Sequence, residues 1–278
     1  MYKRPAHIQY DPPLAGVQRP ATVALAPPGA DCGDWRGALR AELNDPLKVV
    51  FQGAYPAACG ERVWPVAYPA PREFAARAVE GMWRELGGKL TGSVRDGKVP
   101  AGLKPAFVST SPALAEVVRD VNKYSNNVMA QHVFLTLARQ KNGVATLDGA
   151  RETLRQWWQA RFADVDAPAP DNGAGLSRDA RITAQALARM LQAAWASPVM
   201  PELVASLPIA GVDGTLRRSQ SRSAAHLKTG SLRDVMAVAG YVHAQSGRRY
   251  VLVAIVNHPN ANAARPVLDA LTDWAAKD

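Results

Sequence analysis

Cysteine and histidine are scarce in this sequence. Its 278 residues contain 2 Cys and 5 His. Cys32 and Cys59 form no Cys-x-x-Cys pair, and His7, His132, His226, His243 and His258 are scattered, so nothing has the spacing of a zinc site or cysteine-ligated cluster. No metal or other cofactor is expected. Long apolar runs are missing too: the most apolar stretch, 250–256, is far below the roughly 20 residues that a membrane-spanning helix needs. Acidic charge is in deficit, with 33 Lys+Arg against 24 Asp+Glu for a formal charge of +9, which excludes an acidic disordered chain. The cations are nevertheless dispersed. The tightest groups, Arg217-Arg218 with Arg222 and Arg248-Arg249, are not interleaved with aromatics, so a mildly basic solvated surface is expected and no nucleic-acid partner. After Met1-Tyr2-Lys3-Arg4-Pro5 no apolar segment follows, so no secretory signal is visible.

What remains is an ordinary globular composition, 47% hydrophobic and 21% charged, with length for one large domain or two modest ones. Residues 1–70 are broken by proline and glycine around short β-type runs at 22–26 and 48–51, too small for a core of their own. From Pro71 the texture changes. Phe74, Ala78 and Met82 recur at helical spacing until Gly87-Gly88. Ser111-Pro112 reads as the cap and first turn of a helix through Val121. A second helix presents Val128, Met129, Val133 and Leu137, and others are predicted at 147–162 and 183–195. After Pro208 the period becomes two, with strands at 225–231, 235–243 and 250–257 and a closing amphipathic helix at 261–277. The expected architecture is α+β: a helical block, an antiparallel sheet of at least three strands, and a covering C-terminal helix. The predicted division is 1–70 and 71–278.

Two polar segments stand out. Lys123-Tyr124-Ser125-Asn126-Asn127 lies between two helices, where Ser and Asn serve equally well as helix caps. His226-Leu227-Lys228-Thr229-Gly230-Ser231 lies on a strand. Glycine inside a strand weakens it and often marks close approach of a ligand or backbone, and Lys beside Thr offers an ammonium and a hydroxyl to a carboxylate. Cys32 and Cys59 are open to two readings, a disulfide in an oxidising compartment or two free thiols.

Ser125-x-Asn127 followed by Lys228-Thr229-Gly230 resembles the second and third elements of the penicillin-binding proteins and serine β-lactamases. Around them, Asn122–Asn127, Asp171-Asn172-Gly173-Ala174-Gly175-Leu176-Ser177-Arg178, Gly211-Val212-Asp213-Gly214-Thr215-Leu216, Leu227–Leu232 and Asn257-His258-Pro259 are similar to the D-alanyl-D-alanine carboxypeptidase/endopeptidase family, the class C low-molecular-mass penicillin-binding proteins. The resemblance runs from about residue 45 to the C-terminus. It implies a β-lactamase/transpeptidase-like fold preceded by the remnant of a β-rich inserted domain. It also implies a periplasmic serine-type hydrolase that takes peptidoglycan stem peptides through an acyl-enzyme and is inhibited by β-lactams. By that resemblance Ser125 relays a proton to the leaving amine, Asn127 holds the substrate amide oxygen and Lys228 supplies positive potential. Thr229 binds the terminal carboxylate, Gly230 lets the substrate backbone lie alongside, and the Ser231 N–H is an oxyanion-hole donor.

The sequence departs from the family in two places. The family's first element, Ser-x-x-Lys with the nucleophile, is absent: Ser93, Ser125, Ser223 and Ser231 are followed three positions later by Asp96, Val128, His226 and Asp234, and no other serine does better. Ala174 stands where the loop is expected to carry Ser. The chain is therefore read as the C-terminal part of such an enzyme, inactive alone. Exposed apolar faces where the nucleophile-bearing helix would pack are expected to make it poorly soluble. The competing readings are a non-catalytic peptidoglycan-peptide-binding module or inactive remnant, and a basic protein binding anionic polymer. The sequence says nothing about oligomeric state.

Overall fold

The computed structural model describes residues 5–221 and 224–278, so Arg222 of the basic group at 217–222 lies outside the described residues. The chain divides into two compact units, one up to Ala106 and one from Phe107.

The first unit is built from very short elements. Strands β1 (Ala6–His7) and β2 (Thr22–Val23) pair antiparallel, as do β3 (Ala41–Glu42) and β4 (Val50–Phe51). Helix α1 (Trp35–Leu39) starts where the Asp34 carboxylate accepts the Gly37 N–H at 3.0 Å. Cys32 and Cys59 are joined in a disulfide. Trp35 meets Tyr55 and Trp64 edge-on at 5.9 and 5.6 Å. Helix α2 (Pro71–Glu85) has the anticipated proline in its first turn. It packs within this unit: the Ala15 N–H donates to Arg77 O at 2.9 Å, and a Cβ on Gly81 would lie 2.0 Å from Pro13 O. By its contacts α2 thus belongs with the residues before it, although the sequence changes texture at Pro71.

The second unit runs through α3 (Leu114–Tyr124), α4 (Asn127–Asn142), α5 (Leu147–Gln159), α6 (Ala184–Trp195) and α7 (Met200–Ser206) into a sheet. Its strands β5 (Ala225–Leu232), β6 (Val235–His243) and β7 (Arg249–Asn257) are antiparallel in the order β5-β6-β7, with Lys228 opposite Ala239. A 3₁₀ turn (Ala261–Ala264) leads into α8 (Arg265–Ala276). Alternation sorts the sheet into two faces. Leu227, Val238, Val242 and Leu252 pack with Leu268 and Ala276 of α8. Tyr241 packs on the other face with Leu191 and Leu207 from the helical side. At the centre, Gly240 has a φ of 155°, and a Cβ there would meet His226 O at 2.1 Å, so only glycine fits the close β5–β6 pairing.

Three differences from the sequence reading have local causes. Helix α3 begins at Leu114 rather than after Ser111-Pro112, because the Glu116 carboxylate takes the capping role and accepts the Ala113 N–H at 3.3 Å. The closing helix starts at Arg265, where Pro266 suits a first turn, leaving 261–264 as a 3₁₀ turn. Helices α1 and α7 were not anticipated; at 5 and 7 residues they are too short to show a period.

The Tyr241 hydroxyl donates to Leu191 O at 2.7 Å and thereby ties the sheet to α6 in a site closed to water. Tyr241→Phe is expected to lower stability by about 1–3 kcal/mol, since the carbonyl is left without a partner. Urea unfolding of both chains checks this; an unchanged midpoint would remove the bond from the stabilising set.

Candidate active site

The site starts from a helix junction. Ser125 ends α3 in the left-handed conformation, φ 52° and ψ 48°, which costs a non-glycine residue about 1–2 kcal/mol. The bend is held by the Asn126 N–H donating to Val121 O at 3.1 Å. Asn126 is also the cap of α4, its Oδ1 accepting the Met129 N–H at 3.1 Å. The capping that the sequence allows at this junction is therefore the work of Asn126, and the Ser125 side chain is spared from it. Asn127, the first residue of α4, is exposed and its side chain has no hydrogen-bond partner among the described residues.

The second half of the site is an edge strand. Up to Leu227 the outer edge of β5 is covered by the incoming chain: the Leu227 N–H donates to Pro208 O at 2.9 Å and the Ala210 N–H to Ala225 O at 3.0 Å. Beyond Leu227 no described strand pairs with that edge. Because the Leu227 N–H points outward, the period of two turns the backbone N–H and C=O of Thr229 and Ser231 to the same open edge. Lys228 lies on the helical face of the strand, and its ammonium donates to Ser125 Oγ at 3.0 Å and to Thr229 O at 2.9 Å. Thr229 alternates to the other face, where its hydroxyl shares a hydrogen bond of 2.7 Å with that of Thr215. Gly230 is exposed, and a Cβ added to it would make only ordinary contact, 3.5 Å from Ala237 Cβ.

Ser125 and Lys228, 103 residues apart, thus share one cavity of about 1000 Å³ with Asn127, Thr229, Gly230 and Ser231. The 172–177 loop forms one wall, and Leu187, Met190 and Ile255 make the depth apolar. In the loop the Asn172 Oδ1 accepts the N–H groups of Ala174 at 3.0 Å and Gly175 at 2.9 Å, while the Gly173 N–H donates to Gln131 at 2.8 Å. Among the described residues no cluster of His, Cys, Asp and Glu has the arrangement of a metal site.

Three further residues join this group: Lys123, which opens the polar segment 123–127 but has no role assigned from the sequence, and Asp213 and Thr215. Lys123, partly buried at the end of α3, donates to Asp213 Oδ2 at 2.6 Å and to Leu207 O at 2.7 Å. Asp213 and Thr215 lie in the Gly211–Leu216 segment that contributed to the family resemblance, but no residue pattern there marks a role. Burial alone would raise the Asp213 carboxyl; hydrogen bonds from Lys123 and the Ile209 N–H outweigh it and hold the group below the usual carboxylate range.

Burial also pushes the Lys228 ammonium below the ordinary lysine value of 10.5. The folded chain then binds fewer protons than the unfolded chain in the window just below that value, so the contribution of Lys228 to stability rises with pH there. Between about pH 8 and about pH 10 the wild-type chain is expected to gain stability relative to Lys228→Met, measured by urea unfolding at both values. A constant difference would contradict the desolvated ammonium.

A family model for the D-Ala-D-Ala carboxypeptidase 3 (S13) family matches residues 37–278. The chain is 29% identical over 206 residues to a D-alanyl-D-alanine carboxypeptidase of Actinomadura sp. (strain R39), covering 70% of this chain and 38% of that protein. It is 31% identical over 187 residues to carboxypeptidase DacB of Mycolicibacterium smegmatis, covering 62% of this chain and 40% of that protein. The chain therefore spans about two fifths of the length of these curated relatives. Among solved structures it is similar to penicillin-binding protein 4 (DacB) of Haemophilus influenzae in complex with a β-lactam. The TM-score is 0.69 at 20% identity, covering 97% of this chain and 67% of that one, a likeness of fold. With the family match extending over most of its residues, the chain belongs to the D-Ala-D-Ala carboxypeptidase 3 (S13) family.

Proposed function

We propose that the cavity is the substrate-binding and proton-transfer side of a serine-type D-Ala-D-Ala carboxypeptidase/endopeptidase site acting on peptidoglycan stem peptides. The reading is carried by the Lys228 ammonium within hydrogen-bond reach of Ser125 Oγ, 3.0 Å, at the open edge of β5. In the proposed reaction a serine hydroxyl attacks the carbonyl carbon of the penultimate D-alanine and gives its proton to the lysine of its own Ser-x-x-Lys element. The C–N bond breaks as the D-alanine amine takes a proton from Ser125 Oγ, which is resupplied by Lys228. Water then hydrolyses the ester. The attacking serine would come from a Ser-x-x-Lys element that these 278 residues do not contain. The chain alone is therefore proposed to be inactive.

The other roles follow from donors and charge. Asn127 offers its side-chain NH₂ to the substrate amide oxygen. The Thr229 hydroxyl and the Lys228 charge suit the terminal carboxylate. The free edge from Thr229 to Ser231 suits an extended peptide added as a strand, and the Ser231 N–H suits a developing oxyanion. A β-lactam, which presents a carboxylate and a strained amide, would engage the same groups. The Cys32–Cys59 disulfide supports an oxidising, periplasmic setting. A second reading, a peptide-binding module without hydrolysis, is favoured by one observation, that no serine in the sequence has lysine three positions later.

Calorimetry with an N-acetylated peptide ending in D-Ala-D-Ala, together with labelling by a fluorescent penicillin, tests this. Saturable binding without covalent labelling is expected. Thr229→Val should weaken binding roughly ten- to a hundredfold, the value of a hydrogen bond to a charged group. Asn127→Ala should weaken it with no change in melting. Absence of peptide binding would sink the site, and covalent labelling would reveal a nucleophile within the chain.

A further inference from the structure

The residues of the cavity are closed into a ring by hydrogen bonds, several of them from groups that do not line it. At the end of α3, Asn122 donates to Ser206 Oγ at 2.7 Å, and Ser206 is fully buried on α7. One residue on, Lys123 donates to Leu207 O at 2.7 Å and to Asp213 Oδ2 at 2.6 Å, while Asp213 Oδ1 accepts the Ile209 N–H at 2.8 Å. The next residue, Gly214, has φ +54°, and a Cβ there would come within 2.5 Å of Lys123 O. The turn is thus pressed directly on the α3 backbone and admits no side chain at that point. The 3₁₀ turn Gly214–Leu216 carries Thr215, whose hydroxyl meets that of Thr229 at 2.7 Å. Thr229 adjoins Lys228, and Lys228 returns to Ser125, two residues beyond Lys123.

We infer that Lys123, Asp213 and Thr215 are positioning residues that hold the Ser125 junction and the Lys228-Thr229 strand at a fixed separation and aim the Thr229 hydroxyl. The inference rests on reading Ser125, Lys228 and Thr229 as a substrate site. The Lys123–Asp213 ion pair joins α3 to the turn, and the turn meets the strand through the Thr215–Thr229 hydroxyl pair and through Leu216, which packs with Leu227. When Thr215 donates to Thr229 Oγ1, the Thr229 proton is released for a carboxylate. Ser125, in its left-handed conformation, has few alternative positions. Movement of the turn therefore passes to the Ser125–Lys228 contact instead of being absorbed between them.

The test uses the chain as it is, with lysines labelled at Cε so that the Lys228 titration is followed by NMR, and with calorimetry against the N-acetylated D-Ala-D-Ala peptide. In Asp213→Asn the Lys228 titration is expected to move up toward the ordinary lysine range and peptide affinity to fall at least tenfold. Thr215→Val should lose affinity to a similar extent, and Thr215→Ser should restore it. An Asp213→Asn chain that melts cooperatively yet keeps the wild-type Lys228 titration overturns the inference. If Asp213→Asn does not fold, the paired Lys123→Met/Asp213→Leu variant, which leaves no orphan charge, decides by the same criterion. A wild-type chain that binds no peptide defeats the functional reading instead, and the Lys228 titration in the variants still decides the positioning role.

Discussion

A half-buried ammonium sets the terms for the rest of this site. Lys228 carries three N–H donors, and withdrawing them from water is costly unless protein oxygens replace the solvent. Two such oxygens are present, Ser125 Oγ and Thr229 O. One is a backbone carbonyl on the same strand, so it follows from the position of Lys228 itself. The other has to be delivered from a helix end 103 residues earlier in the chain. That delivery explains why α3 terminates in a strained residue and why α4 restarts at once. Continuing α3 would carry Ser125 past the strand, and a longer linker would leave its hydroxyl free to wander. The third donor has no partner among the described residues and is available to an anion in the cavity.

The strands were the most legible part of the molecule. β6 has the anticipated limits, and β5 and β7 each extend one residue further, because alternation on a two-faced sheet gives every position an unambiguous side. Helix ends were less legible where more than one capping group competes, as at Glu116 against Ser111, and where the element is shorter than two turns. At the site, Ser125, Asn127, Lys228 and Thr229 could be picked out because two short motifs occur in order. Thr215 and Asp213 could not. An exposed threonine in a turn and an aspartate beside a glycine have everyday structural explanations, and what distinguishes them is proximity to Thr229 and Lys123, which sequence distance conceals.

The junction also shows how capping and chemistry coexist. Ser and Asn are interchangeable as caps on statistics alone, so the segment 124–127 reads equally well as plain helix punctuation. The structure separates the tasks by one residue: Asn126 satisfies the first turn of α4, and Ser125, turned by its positive φ, faces Lys228. The capping reading holds for Asn126, and the neighbouring Ser125 hydroxyl is left for Lys228.

The two edges of the sheet differ in a way that bears on both function and handling. On β5, Pro208–Ala210 covers the strand as far as Leu227 and then departs, so the open length is limited to the residues beside Lys228 and Thr229. A short open edge leaves few unpaired backbone groups for indiscriminate pairing. β7 has no comparable restriction. Among the described residues it pairs only with β6, and from Tyr250 to Val256 it carries no charge. Natural sheets usually shield such an edge with proline, lysine or a covering segment. Ile255, on the helical face of β7, also lines the apolar depth of the cavity. The sheet thus ends on one side in an edge closed as far as Leu227, and on the other in an edge that no described strand pairs with.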